Sequence, residues 1–177
     1  MNLRYEEIDS NNLDLAVKIQ NAIFPLEDGR QNYLEGITND PYRKEMINYI
    51  VYDSEVPIGV VGLYSYIEYP FDAWLSWFGV LQEYRQNGYG SKIFDFFENL
   101  ALSKGYTSIR VYTDDEFDKA ILLYEKKMMI RESYNNRLES DEINKGTIIY
   151  SKSLTKEKTK KWDNKFLGLT AQSEKEK

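Results

Sequence analysis

The amino-acid sequence predicts a single α/β domain: a mixed, mostly antiparallel sheet of about seven strands, flanked by about four helices. Three observations support this prediction. Segments with strand and helix periodicity alternate from residue 2 to residue 154. Residues 73–80 are apolar at nearly every position, as in a strand buried on both faces at the centre of a sheet. The 177 residues contain no internal repeat and no linker between domains.

Seven segments are rich in β-branched and aromatic residues and favour strands. The second and third are separated by three turn-forming residues and predict an antiparallel hairpin. The last two are joined by an acidic loop and predict a second hairpin that closes the sheet. The segments are residues 2–8, 47–52, 57–67, 73–80, 107–112, 131–137 and 146–154.

Four segments between these strands predict helices, because their apolar residues recur at helical spacing or follow capping residues. The second lies in a long polar insert, residues 26–44, of a kind that often binds substrate. The first helix follows an N-cap at Ser10-Asn11 and is stopped by Pro25, and the second lies at about 31–37. The third follows the glycine-containing turn after residue 80 and is ended by Gly105. The fourth begins at the acidic residues 114–116.

The composition changes at Thr155, where Lys, Glu and Thr become dominant. We therefore expect the folded domain to span residues 1–154 and a charged tail to span residues 155–177. Within the tail, Trp162, Phe166 and Leu169 lie at helical spacing and predict a short amphipathic helix. Such a helix would dock on the body of the protein or on another copy, which makes a homodimer one expected assembly.

Histidine and cysteine are both absent. Their absence excludes thiol nucleophiles, disulfides, Cys/His metal sites, Ser-His-Asp triads and imidazole bases, so an enzyme would move protons with Asp, Glu, Tyr, Lys, a terminal amine or water. The net charge of −6 argues against nucleic acid as the main partner and is compatible with an amine-bearing one. No apolar run is long enough for a membrane helix and no signal peptide is recognised, so a cytoplasmic location without a membrane partner is expected.

The turn after the central strand reads Arg85-Gln86-Asn87-Gly88-Tyr89-Gly90-Ser91. Such a turn is suited to a phosphate, because N–H groups at a helix start point outward, the helix dipole favours anions and glycine removes the Cβ. An ordinary β–α turn that uses glycine only for a positive φ is the alternative. Spacing excludes a Walker loop, which needs four residues between its glycines, and a dinucleotide fingerprint, which needs a third glycine where Ile93 stands.

The pattern Arg85-x-x-Gly88-x-Gly90, between a strand and a helix, resembles the acetyl-coenzyme A signature of the GNAT superfamily of N-acetyltransferases. Downstream, residues 109–113 resemble the next strand of that family. Residues 120–126, which include Tyr124-Glu125-Lys126, resemble the start of its following helix. The resemblance implies transfer of the acetyl group of acetyl-coenzyme A, a co-substrate, to a primary amine of a small molecule or peptide. The amine would attack directly in a ternary complex, without a metal.

The resemblance also implies which residues bind the coenzyme. In the family, the pantetheine arm lies along the freed edge of the central strand, and backbone amides of the turn hold the pyrophosphate. Arg85 is expected either to add positive charge near the phosphates or to pair with an acidic neighbour. The implied positions are Phe78, Gly79 and Val80 for the arm, and Gln86, Asn87, Gly88, Tyr89, Gly90 and Ser91 for the pyrophosphate.

Tyr124 matches the family's tyrosine near the coenzyme sulfur and is expected to be the general acid. It also lies on the apolar stripe of its helix, so simple packing is the alternative. Asp72 and Glu68, just before the central strand, are the candidate bases. Each is also an ordinary turn residue, and water relayed by backbone carbonyls remains a rival to both.

Two departures from the family pattern concern the coenzyme. Phe117 stands where the family often has an asparagine that contacts the coenzyme; it would pack against the pantetheine but cannot supply the amide hydrogen bond. Met128-Met129 replaces a Gly-Phe pair. These departures keep a second hypothesis open, an acyl-coenzyme A-binding sensor or interaction module with weak or no turnover.

Overall fold

A computed structural model describes residues 1–37, 43–135 and 140–162 of the chain. They form one mixed α/β domain with seven strands and five α-helices. The strands are β1 (Leu3–Glu7), β2 (Arg43–Asp53), β3 (Val56–Tyr66), β4 (Asp72–Val80), β5 (Ser108–Asp114), β6 (Ile130–Ser133) and β7 (Thr147–Ser153). The helices are α1 (Leu13–Ile23), α2 (Gly29–Ile37), α3 (Tyr89–Ser103), α4 (Asp118–Lys126) and α5 (Asp141–Gly146), with a short 3-10 turn at Gln82–Tyr84.

All seven strands belong to one sheet, in the order β1-β2-β3-β4-β5-β7-β6. Neighbouring strands are antiparallel except β4 and β5, which are parallel. The predicted fold class, the β2–β3 hairpin and the pairing of β6 with β7 are thereby confirmed. The chain forms a crossover between β4 and β5 through α3, because parallel neighbours cannot be joined by a tight turn.

The two faces of the sheet are covered by different elements. On one face, α3 and α4 bury an apolar cluster that includes Phe94, Phe97 and Tyr124. On the other face, α1 and Tyr33 of α2 pack on the first strands. A third cluster, around Trp74 and Trp162, contains side chains of β3, β4 and β7. Each large apolar side chain buried in this way contributes about 1.5–3 kcal/mol, so these clusters hold the layers together.

The acidic segment between β6 and β7, predicted as a loop, instead contains α5. The side chain of Ser140 accepts a hydrogen bond from the backbone N–H of Ile143, which caps the helix. Asp141 and Glu142 lie in the first turn, where carboxylates interact favourably with the helix dipole. These acidic residues therefore mark the start of a helix rather than a loop.

The predicted tail helix falls mainly outside the described residues, since Phe166 and Leu169 both follow residue 162. Trp162, the last described residue, is buried. Over the ranges that the structure describes, no helix combines the length and the apolar character needed to cross a membrane.

Candidate active site

β4 and β5 are paired over only part of their length. Their register partners are Asp72 with Ser108, Ala73 with Ile109 and Trp74 with Arg110. Beyond this last pair, β5 continues to Asp114 in register with β7, whereas β4 continues to Val80 in register with β3. The edge of β4 that faces β5 is therefore unpaired after Trp74 within the described part of the chain, and its backbone groups are available to an extended ligand.

A β-bulge at Trp77 changes the direction of β4 within this unpaired stretch. Ser76 pairs with Gly62 and Gly79 with Val60, so two residues of β4 lie opposite one residue of β3. Trp77 has a φ of 37°, a conformation that tryptophan rarely adopts. Bulges of this kind redirect side chains and occur often beside active sites. Nothing in the local sequence predicts it.

The two aromatic residues of the bulge, Trp77 and Phe78, have their side chains on opposite faces of the sheet. The Trp77 ring lies 5.8 Å from that of Phe24, which directly follows α1, and the Phe78 ring lies 6.5 Å from that of Phe94 on α3. Gly79 then allows a close approach, since a Cβ at this position would lie 2.4 Å from Cγ2 of Ile23. The helix therefore packs directly on the backbone at the end of β4.

The glycine turn places Gly88 at the N-cap of α3. Its φ is +80°, and an added Cβ would meet nothing within 4 Å, so the space beside it is open. No side chain caps this helix start, and the first N–H groups of a helix have no acceptor within the helix. Gln86 also has a positive φ, of 66°. The turn therefore directs unused N–H groups and the positive helix end toward open space, as an anion requires.

The side chains of the turn bond mainly within the protein. Arg85 Nε donates to the carbonyl oxygen of Val80 at 2.8 Å. Asn87 Nδ2 donates to the carbonyl oxygens of Tyr84 and Arg85, at 3.3 and 3.2 Å. These bonds stabilise the turn and leave backbone groups, rather than side chains, for a ligand.

Tyr89 and Gly90 follow at the first turn of α3. The Tyr89 hydroxyl donates to the Asp53 carboxylate at the end of β2, which fixes the helix start to the β2–β3 turn. A Cβ at Gly90 would lie 3.9 Å from the side chains of Phe78 and Leu123, an ordinary contact. The helix start, β4 and α4 therefore meet at one place, and Ser91 lies in the same turn.

Tyr124 is buried on α4 between two aromatic rings. Its ring lies 6.0 Å from that of Phe94 and 5.5 Å from that of Tyr150. Burial, and to a smaller extent the nearby Tyr150, raises the pKa of Tyr124 well above its usual value, so the hydroxyl keeps its proton at neutral pH. Tyr124 therefore packs in the core, as the packing alternative predicts. Its hydroxyl is also protonated, as that of a proton donor must be.

Phe117 precedes α4 as its N-cap residue. Its side chain is 51% exposed, whereas Tyr124 of the helix that follows is buried. The ring is therefore available to pack against a ligand.

The two candidate bases lie together, but at the opposite end of β4 from the glycine turn. Glu68 and Asp72 line a cleft of about 460 Å³ between the β3–β4 turn and the segment after β7. Asp72 forms an ion pair with buried Arg110, with 3.3 Å between Oδ2 and Nε. Phe78 lies six positions after Asp72, about 20 Å along an extended strand. The role of base at either carboxylate therefore remains a prediction.

Among the described residues, no group of three or more His, Cys, Asp or Glu is placed to hold a metal ion. The parting of β4 and β5, the glycine turn and the buried Tyr124 agree with the acetyltransferase class that the sequence resembles. The sequence model of the Acetyltransferase (GNAT) family matches residues 13–128, more than half of the chain, so the protein belongs to this family.

Solved structures share the fold at low sequence identity. The ribosomal-protein-S18-alanine N-acetyltransferase of Escherichia coli is 13% identical, with a TM-score of 0.67 over 93% of this chain and 99% of that chain. The spermidine N-acetyltransferase of Vibrio cholerae, solved with coenzyme A and spermine, is 15% identical, with a TM-score of 0.66 over 86% and 95% of the two chains. A Bacillus subtilis acetyltransferase solved with coenzyme A is 17% identical, with a TM-score of 0.65 over 86% and 99%. A search of curated proteins found no match.

Proposed function

We propose that this GNAT-family protein is an N-acetyltransferase that transfers the acetyl group of acetyl-coenzyme A to a primary amine in a ternary complex. One observation carries the proposal: β4 has an unpaired edge, and after residues 81–87 the same chain reaches the open N-terminus of α3 at Gly88. An extended arm that ends in a pyrophosphate matches both features, because the arm needs backbone partners along a strand and the pyrophosphate needs N–H donors at a helix start.

The binding residues follow from this arrangement. The backbone of Phe78, Gly79 and Val80 would pair with the pantetheine arm. The amides from Gln86 to Ser91 would hold the pyrophosphate, with Arg85 maintaining the turn through its bond to Val80. The half-exposed ring of Phe117 would pack against the arm.

Acetyl-coenzyme A, when bound, supplies an activated thioester carbonyl. An alkyl ammonium group has a pKa near 10.4, so only roughly one acceptor in 2,500 is neutral at pH 7, and a base must remove a proton before attack. The amine nitrogen then forms a bond to the carbonyl carbon and loses a second proton to solvent, and the carbon–sulfur bond breaks. The thiol of coenzyme A has a pKa of about 8.5, so its sulfur is a better leaving group when it receives a proton.

Tyr124 is the proposed source of that proton. Burial raises its pKa, so it remains protonated through neutral pH and would recover its proton from solvent after each turnover. The base is proposed to be Asp72, Glu68 or a water molecule relayed by backbone carbonyls. The ion pair with Arg110 gives Asp72 a structural role in any of these cases.

A direct experiment separates this function from its alternative, an acyl-coenzyme A-binding sensor with weak or no turnover. Acetyl-coenzyme A is titrated by calorimetry, and thiol release is then measured with spermidine and with a peptide that begins with alanine, the acceptor types of two structural neighbours. Binding together with release supports the transferase. Binding without release by any amine supports the sensor, which Phe117 and Met128-Met129 keep open. Absence of binding overturns both.

A further inference from the structure

The segment that follows β7 packs on the sheet face opposite α3 and α4. Trp162, at its end, is 1% exposed and belongs to the cluster that contains Trp74. This segment lies outside residues 13–128, which the family model matches. The family match therefore says nothing about this segment.

Trp162 contacts both members of the last β4–β5 pair. Its ring centroid lies 4.9 Å from that of Trp74, with the planes nearly perpendicular. The guanidinium carbon of Arg110 lies over the Trp162 ring at 5.2 Å from its centroid. Because Trp74 and Arg110 are register partners, the one indole spans both strands at the point where they part.

Two buried charged residues hold the segment in place. Glu132 on β6 accepts a hydrogen bond from the backbone N–H of Trp162 at 2.8 Å. Arg110 donates from Nη1 to the carbonyl oxygen of Lys160 at 3.0 Å and to Ser151 Oγ at 2.7 Å. Charged groups are buried only with partners, so the packed segment and these two residues depend on each other.

Arg110 links this anchor to β4. Its guanidinium also forms an ion pair with the carboxylate of Asp72. Asp72 belongs to the first of the three β4–β5 pairs, and Arg110 to the last. Only three residues of each strand pair at this junction, so the backbone alone gives it few hydrogen bonds. Removal of the indole would admit water to the Asp72–Arg110 pair and weaken the attraction that holds β4 against β5.

We propose that Trp162 is a positioning residue, which fixes the point where β4 and β5 part. This inference rests on the proposed function for its consequence: the unpaired edge that would bind the arm begins at this junction, so the junction sets the position of the edge along which the thioester would lie. Loss of Trp162 should therefore impair the transfer step more than binding of the coenzyme, since the glycine turn is remote from the junction.

The junction itself is tested by hydrogen–deuterium exchange on the full chain, without any ligand. In Trp162→Ala, we expect amides of residues 72–74 and 108–110 to exchange about tenfold faster than in the wild type, with Trp162→Phe in between. The control is Phe97→Leu, a core change on the opposite face of the sheet. Junction exchange that rises no more in Trp162→Ala than in this control overturns the proposal. If the alanine variant does not fold, Trp162→Phe and Trp162→Leu are judged by the same comparison.

The consequence is tested by kinetics. We expect Trp162→Ala to lower kcat for thiol release about tenfold while the Kd for acetyl-coenzyme A changes less than about threefold, with partial recovery in Trp162→Phe. A fall in kcat equal to that of Phe97→Leu overturns the positioning role. Failure of the wild type to bind acetyl-coenzyme A would overturn only the proposed function. Hydrogen–deuterium exchange at the junction would then decide whether Trp162 fixes the point where β4 and β5 part.

Discussion

Arg85 Nε donates a hydrogen bond to the backbone carbonyl oxygen of Val80, 2.8 Å away. Val80 is the last residue of β4 and Arg85 is the first residue of the glycine turn, so the bond fixes how the chain leaves the strand. The sequence left open whether Arg85 adds charge near a phosphate or pairs with an acidic neighbour. Within the described ranges, Arg85 forms this hydrogen bond to a carbonyl oxygen and no ion pair. Its role is therefore to shape the turn.

Substitution of Arg85 separates shape from charge. We expect Arg85→Lys to weaken acetyl-coenzyme A binding about tenfold, nearly as much as Arg85→Ala, because lysine keeps the charge but lacks the rigid donor. Calorimetric titration of both variants at low and high salt measures this. Full affinity in Arg85→Lys, or a salt dependence that disappears in Arg85→Ala, would instead assign Arg85 to the phosphates.

Gly88 is expected to be required for coenzyme binding. Its φ of +80° suits glycine, and the space beside it is open, so a β-branched side chain would strain the backbone and fill the proposed pyrophosphate site. We expect Gly88→Val to lower acetyl-coenzyme A affinity at least about tenfold, and the strain to cost about 1–2 kcal/mol of stability. Calorimetry and thermal unfolding measure the two effects.

Gly105 provides a matched control at the other end of α3. Its φ is +83° and an added Cβ would also meet nothing within 4 Å. Gly105→Val should therefore lose a similar amount of stability and keep the affinity of the wild type. Equal loss of affinity in the two variants would show that strain in α3, rather than the space at Gly88, affects binding.

The sequence predicted those parts of the site that depend on local signals. The positive φ at Gly88 follows from the Gly-x-Gly pattern, and the central position of β4 follows from its unbroken apolar run. α5 also had a local signal, the cap formed by Ser140, but its acidic residues were interpreted as a loop. Local patterns were thus sufficient for the turn and for most elements.

The remaining features depend on contacts between distant residues. The bulge at Trp77 arises from the register of β4 against β3, for which tryptophan gives no signal. The parting of the strands after Trp74 was implied only by resemblance to a family. The ion pair of Asp72 with Arg110 and the burial of Trp162 join residues far apart in the chain, so neither has a local pattern.

Tyr124 is expected to contribute as a general acid. Tyr124→Phe keeps the ring between Phe94 and Tyr150 and removes only the hydroxyl, so acetyl-coenzyme A affinity should change little. We expect kcat for thiol release to fall about 100-fold, the usual range for loss of a positioned proton donor. Stopped-time thiol assays at saturating amine measure this.

Tyr150→Phe is the matched control for Tyr124→Phe. Its hydroxyl donates to Glu125 rather than to the proposed site, so this variant should retain kcat within about threefold. Unaltered release by Tyr124→Phe would contradict the acid role and leave Tyr124 as a packing residue. Because burial raises its pKa, deprotonation of Tyr124 should cause no loss of rate below about pH 10.

Stability should fall steeply in alkaline solution, because burial raises the pKa of several tyrosines. Desolvation raises the pKa of Tyr5 and of Tyr106 to about 12, from a usual value of 10.0. A group whose pKa is higher in the folded state binds more protons there than in the unfolded chain. The stability it gives is complete below pH 10 and is lost as the pH rises toward 12. Urea unfolding at intervals from pH 8 to pH 11.5 should show this decline.

Tyr5→Phe isolates one of these groups. The Tyr5 ring stacks on Phe96 with 3.6 Å between centroids, and phenylalanine preserves this contact while it removes the ionising hydroxyl. The free energy of unfolding of the variant should therefore decline less steeply above pH 10 than that of the wild type, and the two curves should be parallel below pH 9. Parallel curves across the whole range would show that ionisation of Tyr5 is not coupled to unfolding.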